Sequence, residues 1–552
     1  PFSLLNTPSV CNSYVMGALN SHPESRVVRT HYGDVVGRRL YNKDGKSVDA
    51  FQGIPYARPP VGDLRFRKPQ PPEPWDGIFQ AKSFGNRAIQ RDLLFFDNWR
   101  KGQTSEDCLV LNVFSPCWEA PNQGFPVMVF IHGGGFSMDS AETYGDVGIC
   151  ERLCLKDVIV VTIQYRLGYL GFWTTEDRSC PGNFGLWDQT EALKWIQLNI
   201  ASFGGNKNNV TILGQSAGGA SVDFLSLSPH SYNLFHKVIP MAGTASAKWA
   251  LSPSMKLQCE KKALRLGCDW KNSQDLMSQL RELPASAFAI SLIGADTEKE
   301  TDLECTPVID GDFLPSSVDE MRKTAPPKPR MTGVAKMEGL LFLITIKSTV
   351  EKLKKLMNRA LPKDLPNKTA TQNEFLSKYI NLESKPDTDT IYRAMNEIYS
   401  DLSMNAPVLK QITQTIAAHP NTPVYNYVFS HLNPKAWGPF RWYLSFLEAS
   451  HCHELPYIFN KGIIFGFSFT DEDNRMAEIF SAAFTNFAKY GDPNGAVGRN
   501  ELPVRWEPAT IDNPERHYNF KLQPELVDSY FQGRPAALLN YQKKSETTTA
   551  KL

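Results

Sequence analysis

Two rhythms of apolar and polar positions divide the chain. Nearly continuous apolar runs at 109–114, 126–131, 158–164 and 210–213 read as strands buried on both faces. Between the last two, apolar residues within 188–200 (Ala192, Leu193, Trp195, Ile196 and Ile200) recur at helical spacing. Strands alternating with helices in this way predict a large, mostly parallel central sheet flanked by helices. A small edge hairpin is expected from 26–28 and 35–39, folded around Gly33-Asp34. The stretch 51–66 is too rich in Pro and Gly for a helix or a central strand. Beyond 238–241 the period turns helical, at 273–283, 351–361 and 476–489, with short strands near 331–334 and 424–429. A helical lobe inserted late in the chain follows from that change.

No repeat, low-complexity tract or long linker cuts the 552 residues apart. One large α/β domain over 26–535 is therefore expected, with an N-terminal extension (1–25) and a polar C-terminal tail (536–552). Lys and Arg total 59 against 58 Asp and Glu, and no block of like charge occurs, so neither a nucleic-acid partner nor a polybasic membrane anchor is implied. The longest apolar run, near 340–346, falls far short of a bilayer span, and the protein reads as soluble. Asn6, Pro8, Asn12 and Ser13 interrupt the N-terminus, which does not read as a secretory signal. The ten cysteines contain no paired C-x-x-C and no metal pattern. The terminal Ala550-Lys551-Leu552 is a near-match to the S-K-L peroxisomal address.

Candidate chemistry begins at Gly214-Gln215-Ser216-Ala217-Gly218, where a strand pattern gives way to a small-residue, helix-compatible stretch. Glycines on either side remove Cβ atoms where such a turn crowds the backbone, so Ser216 can stand at a strained elbow with its hydroxyl exposed. Upstream, Gly133-Gly134-Gly135 follows a strand directly. Without side chains, its amides can turn inward and, with the N–H of Ala217, form an oxyanion hole, each donor worth about 2.7–4 kcal/mol of barrier. A phosphate loop would want a following Lys-Ser/Thr or G-x-G-x-x-G spacing, and neither is present.

A base and an acid should follow the serine in chain order. Five histidines lie well past it, at 419, 431, 451, 453 and 517. His451 and His453 share a loop that opens into a helix start, and spacing leaves either as the base. Among the carboxylates, Glu338 is the best candidate acid, since it directly precedes Gly339 and the apolar 340–342. Composition alone decides neither assignment.

The whole set of motifs resembles the type-B carboxylesterases, the cholinesterase-like α/β-hydrolases, and in particular their invertebrate members. The resemblance runs from about Val27 to Phe520 and rests on FQGIPYARPPVGDLRF, SEDCLVLNVF, VFIHGGGF, YRLGYLGF, GNFGLWDQ, NIASFGGN, VTILGQSAGGAS, MEGLLF, HCHELPYIF and FTNFAKYGDPNG. It implies Ser216 as nucleophile, Glu338 as acid, His451 as base, and Gly134, Gly135 and Ala217 as oxyanion donors. His453 then falls where the family often has Asp and is expected to be a loop residue with a solvated ring. The implied activity is carboxylic-ester hydrolysis through an acyl-enzyme, on small-molecule esters, with no cofactor and no metal. Alternatives are an interfacial lipase of the same family and a catalytically silent, neuroligin-like binding protein.

Departures from the family pattern refine this. Ala88 stands where the family's first disulfide would place the partner of Cys108, so that bridge is not expected; Cys259 and Cys268 resemble the second pair. A missing bridge fits a reducing compartment, which makes cytoplasm the expected location, with peroxisome, or secretion after removal of a signal, as alternatives. Gln215 replaces the Glu that cholinesterases carry beside the nucleophile, and Trp99 is out of step with their choline-stacking tryptophan, so choline esters are poor candidate substrates. Gln in this slot also occurs in insect juvenile-hormone esterases. Ala242 replaces a Ser that many members use near the acid, which would cost Glu338 a hydrogen bond.

Overall fold

A computed structural model of the chain describes residues 22–41, 45–92, 102–291, 303–360 and 368–549. Trp99 and Ala550–Leu552 lie outside the described residues. The described chain forms a 13-stranded sheet. Its first strands are β1 (Glu24–Arg29), β2 (Asp34–Tyr41), β3 (Ser47–Pro55), β4 (Ile78–Gln80), β5 (Val110–Pro116), β6 (Phe125–Ile131) and β7 (Ile159–Ile163). The remainder are β8 (Gly205–Gln215), β9 (Lys237–Met241), β10 (Arg330–Ala335), β11 (Val424–Phe429), β12 (His517–Phe520) and β13 (Glu525–Val527). They lie in the order β1-β2-β3-β5-β7-β6-β8-β9-β10-β11-β12-β13, with β4 beside β2. From β7 through β12 every pairing is parallel, and the antiparallel pairs sit at the two margins.

Alternation along each central strand divides the core. Val127, Val129 and Ile131 of β6 face the side covered by the Phe184–Asn199 helix, while Met128 and Phe130 face the side covered by Asp471–Tyr490. Both faces are apolar, which is why these runs lack the polar alternation of a half-exposed strand. The late helices form a lobe with its own core, built from Leu340, Leu353, Leu356, Phe375, Ile391 and Ile398 among others.

Three expectations are corrected. Residues 51–55 do belong to the sheet, as the end of β3; the register against β5 slips between Phe51 and Ile54, so Gly53 is absorbed in a bulge, and Pro55 ends the strand opposite Val110. The stretch expected as a polar tail continues as the helix Arg534–Thr549, with Leu538 buried against the lobe. Cys259 and Cys268 are free thiols, as is Cys108; Cys259 Sγ accepts the Thr174 N–H at 3.4 Å instead.

One buried ionic cluster ties the centre together. Asp223, fully buried in the helix Ala217–Leu227, accepts two bonds from Arg322 (2.9 and 2.7 Å) and one from Arg330 (2.9 Å). The Thr244 hydroxyl and the Ala245 N–H complete its shell at 2.7 and 2.9 Å. Burial alone would raise this carboxyl's pKa, but the charges of Arg322 and Arg330 hold it well below the usual carboxylate range. Removing it strands two guanidiniums in the interior. Asp223→Ala should therefore cost about 3–5 kcal/mol in urea unfolding; a loss below about 1 kcal/mol would show the cluster to be dispensable.

Candidate active site

β8 ends at Gln215, and the next residue, Ser216, takes φ 60° and ψ −125° before the helix Ala217–Leu227 begins. A non-glycine residue in such a region costs on the order of 1–3 kcal/mol and persists only where its surroundings leave no alternative. Here they leave none. The Ser216 N–H donates to Met241 O at 2.8 Å, a Cβ on Gly243 would stand 1.9 Å from Ser216 O, and one on Gly218 would stand 2.1 Å from Ile131 O. Backbones from three strands thus meet where only hydrogen fits.

The loop after β6 packs against this turn. A Cβ on Gly133 would lie 3.2 Å from that of Ser216. Gly134, at φ 89°, turns its carbonyl to the N–H groups of Ser137 and Met138 (3.0 and 3.1 Å). Among the described residues, no backbone carbonyl takes the N–H of Gly134, Gly135 or Ala217. Ala217 is the first residue of its helix, where orphan amides and the dipole both favour negative charge.

Glu338 opens a tight turn directly after β10 and is fully buried. Its Oε1 accepts the Ala335 N–H at 2.5 Å, and its Oε2 lies 2.6 Å from His451 Nδ1. That contact sets the tautomer: Nδ1 carries the proton, which leaves Nε2 with a free lone pair. The loops carrying Glu338 and His451 are stitched by Ser450, whose Oγ accepts the Leu341 N–H (3.0 Å) and donates to Glu338 O (3.3 Å). Met337 N–H adds a bond to Ala449 O at 2.8 Å. Phe342, four residues beyond Glu338, lies against the His451 ring with centroids 5.0 Å apart.

Gln215, the chain neighbour of Ser216, reaches the His451 ring. The Gln215 Nε2 lies 3.3 Å from both nitrogens of the His451 ring, and among the described residues no hydrogen bond joins Ser216 to that ring. Cys452, in the left-handed region at φ 71°, donates its thiol to Gln215 Oε1 at 3.3 Å. Neither the Gln215 contact nor the Cys452 contact carries a signal in sequence.

One further expectation changes. His453 is buried, not solvated: its ring meets Trp437 edge-on at 4.6 Å, and among the described residues its Nε2 has no hydrogen-bond partner. Both oxygens of Glu338 are engaged although Ala242 offers it no hydroxyl. The neighbouring carboxyl of Glu454 is fully buried and, among the described residues, takes no hydrogen bond from another residue. Burial, reinforced by the Glu338 charge, pushes the Glu454 carboxyl well above the usual range. Burial and the neighbouring His451 push the His453 ring down to about 3.

These opposite shifts give stability a definite shape against pH. Above 4.5, folded Glu454 retains a proton that the unfolded chain gives up, while below 6.5 folded His453 lacks one that the unfolded chain holds. The two differences oppose each other. Below 4.5 only the histidine difference remains, so stability falls by up to about 1.4 kcal/mol per pH unit towards 3. The contribution of the carboxyl has the opposite sign, and it is lost as pH rises through its folded pKa. Urea unfolding should show that Glu454→Gln loses the alkaline fall in stability, while its acid fall, no longer opposed by the carboxyl, begins at a higher pH; unchanged limbs in that variant would refute the assignment.

Residues 24–538 match the carboxylesterase family. The chain is 39% identical to Esterase cest-33 of Caenorhabditis elegans over 537 residues, spanning 94% of this chain and 95% of that one. It is 34% identical to juvenile hormone esterase of Tribolium castaneum (90% and 87% covered) and 33% identical to pyrethroid hydrolase Ces2e of Rattus norvegicus (94% and 92%). With a mostly parallel sheet, a serine at the strand-to-helix elbow and family likeness along its length, this chain belongs to the carboxylesterase family of α/β-hydrolases and is a carboxylic ester hydrolase.

Proposed function

We propose that the ester is cleaved through an acyl-enzyme formed on Ser216, with His451 as the base, Glu338 as its orienting acid, and the amides of Gly134, Gly135 and Ala217 as the oxyanion donors. The observation that carries this reading is the buried 2.6 Å contact between Glu338 and His451, one residue away from the elbow serine through Gln215. The 3.3 Å reach of Gln215 to His451 Nε2 is long for a hydrogen bond and is readily exchanged for the Ser216 hydroxyl when substrate arrives.

In this scheme His451 Nε2 takes the proton as Ser216 Oγ attacks the acyl carbon. The Glu338 carboxylate stabilises the resulting imidazolium without itself taking the proton. Charge that develops on the carbonyl oxygen falls to the three amides, which require no reorganisation at that moment. The imidazolium then protonates the leaving alcohol, and water repeats the sequence to release the acid and restore Ser216. The neutral state of His453 through the physiological range leaves a single imidazole to do this work. Small-molecule esters are the substrates of this cycle.

Ser216→Ala should lower ester turnover by about 10⁴-fold or more, and an organophosphate should label the parent enzyme once, on Ser216. His451→Gln should lose at least about 10³-fold in kcat, whereas His453→Gln keeps kcat within about tenfold. Reversal of that histidine order, or label on another residue, would rule the assignment out.

A further inference from the structure

The Phe342 ring that touches His451 also lines a second feature. A cleft whose empty space, open mouth included, is about 580 Å³ runs from Phe342 into the helical lobe. Phe342, Leu343, Ile346, Leu356, Met395 and Tyr399 supply most of its wall, and Phe342 packs on Tyr399 with centroids 5.5 Å apart. Its remaining lining is Lys352, Lys355 and Arg359, with no carboxylate. All three belong to the helix Val350–Ala360, which sets Lys352, Lys354, Lys355 and Arg359 against a single acid, Glu351.

That helix explains how the cations reach the mouth. Its apolar residues Leu353, Leu356 and Met357 are buried in the lobe, so the charged residues are left along the rim. Lys352 and Arg359 are half-buried and Lys355 is exposed. Among the described residues, none of the three is ion-paired with a carboxylate. A surface cation facing water needs no partner. Three on the rim of an apolar cleft, beginning at the ring of the proposed base, create a positive field over an apolar floor.

We infer that this cleft is a subsite for esters that are anionic at the end remote from the reacting carbonyl. The chain of such an ester lies along Phe342, Leu343 and Ile346, and its carboxylate, sulfate or phosphate meets Lys352, Lys355 and Arg359. The inference rests on Ser216 and His451 being the reacting pair. It adds a selectivity: among esters of equal length, those with a remote anion are preferred over neutral ones. Lysine and arginine differ in geometry but share the sign, so the recognition is of charge on an amphiphile.

The test is a ratio. The purified enzyme is assayed on 4-nitrophenyl half-esters of linear dicarboxylic acids against chain-matched neutral fatty acyl 4-nitrophenyl esters. A second pair, acetyl esters of ω-hydroxy carboxylates against their amides, puts the anion on the alcohol side. In at least one pair the anionic member should show the higher kcat/KM, through KM. That ratio should fall about two- to fivefold for each charge removed in Lys352→Gln, Lys355→Gln and Arg359→Gln, and on the order of tenfold or more in the triple variant. It should also fall in the unaltered enzyme as salt is raised from about 0.01 to about 0.5 M, a reading that needs no variant to fold. Lys355→Glu, at an exposed site, should reverse the preference. Ratios that ignore both charge removal and salt, while Ser216→Ala is inactive, overturn the subsite and leave the catalytic assignment standing. Activity retained in Ser216→Ala overturns the catalytic assignment itself.

Discussion

Everything in the active region depends on how closely backbones can approach one another behind Ser216. The serine's left-handed turn is not a local preference; it is imposed by the strand ends of β6, β8 and β9 converging on one point. Where they cross, Gly218 and Gly243 admit the carbonyls of Ile131 and Ser216 at distances no methyl group tolerates. The strain is sustained by the parallel sheet around it, since relaxing the turn would mean parting strands that are apolar on both faces. A rigid scaffold thereby fixes one hydroxyl and the first amide of a helix in a single geometry.

Around that fixed point the electrostatics are arranged by burial. His451 sits between a carboxylate fully engaged by hydrogen bonds and two buried ionisable side chains, His453, whose pKa burial pushes down to about 3, and Glu454, whose pKa it pushes up. A charged His453 would repel a proton on His451, and a second carboxylate would compete with Glu338 for it. Packing Trp437 against His453 and burying Glu454 bias both groups towards their neutral forms. Gln215 belongs to the same logic, since an amide beside the serine adds no charge to this neighbourhood.

The fold's centre was legible because its signals are local. Apolar runs mark strands, and Gly-x-Ser-x-Gly after such a run marks a turn. The motifs around Glu338 and His451 supplied the acid and the base by family resemblance, and the two side chains lie 2.6 Å apart. What escaped is set by tertiary surroundings. Nothing in the neighbours of His453 announces Trp437, which arrives from a distant turn, so a ring between polar residues reads as solvated. β3 hid behind its own Gly and Pro because a bulge, which periodicity cannot register, accommodates Gly53, and Pro55 falls at the strand's last position. Cys259 and Cys268, nine positions apart in sequence, are a matching pair by motif only.

The ion cluster at Asp223 has an implication for how such an enzyme can change over generations. Asp223 rides on the helix that begins beside Ser216, and Arg330 is the first residue of the strand that delivers Glu338. Two segments that supply different members of the proposed triad are therefore locked together away from the elbow. Neither can slide, lengthen or be exchanged with another lineage alone without breaking the lock. Segments that carry no part of it, such as the basic helix of the lobe, are free to drift, and novelty in what the enzyme accepts should accumulate there.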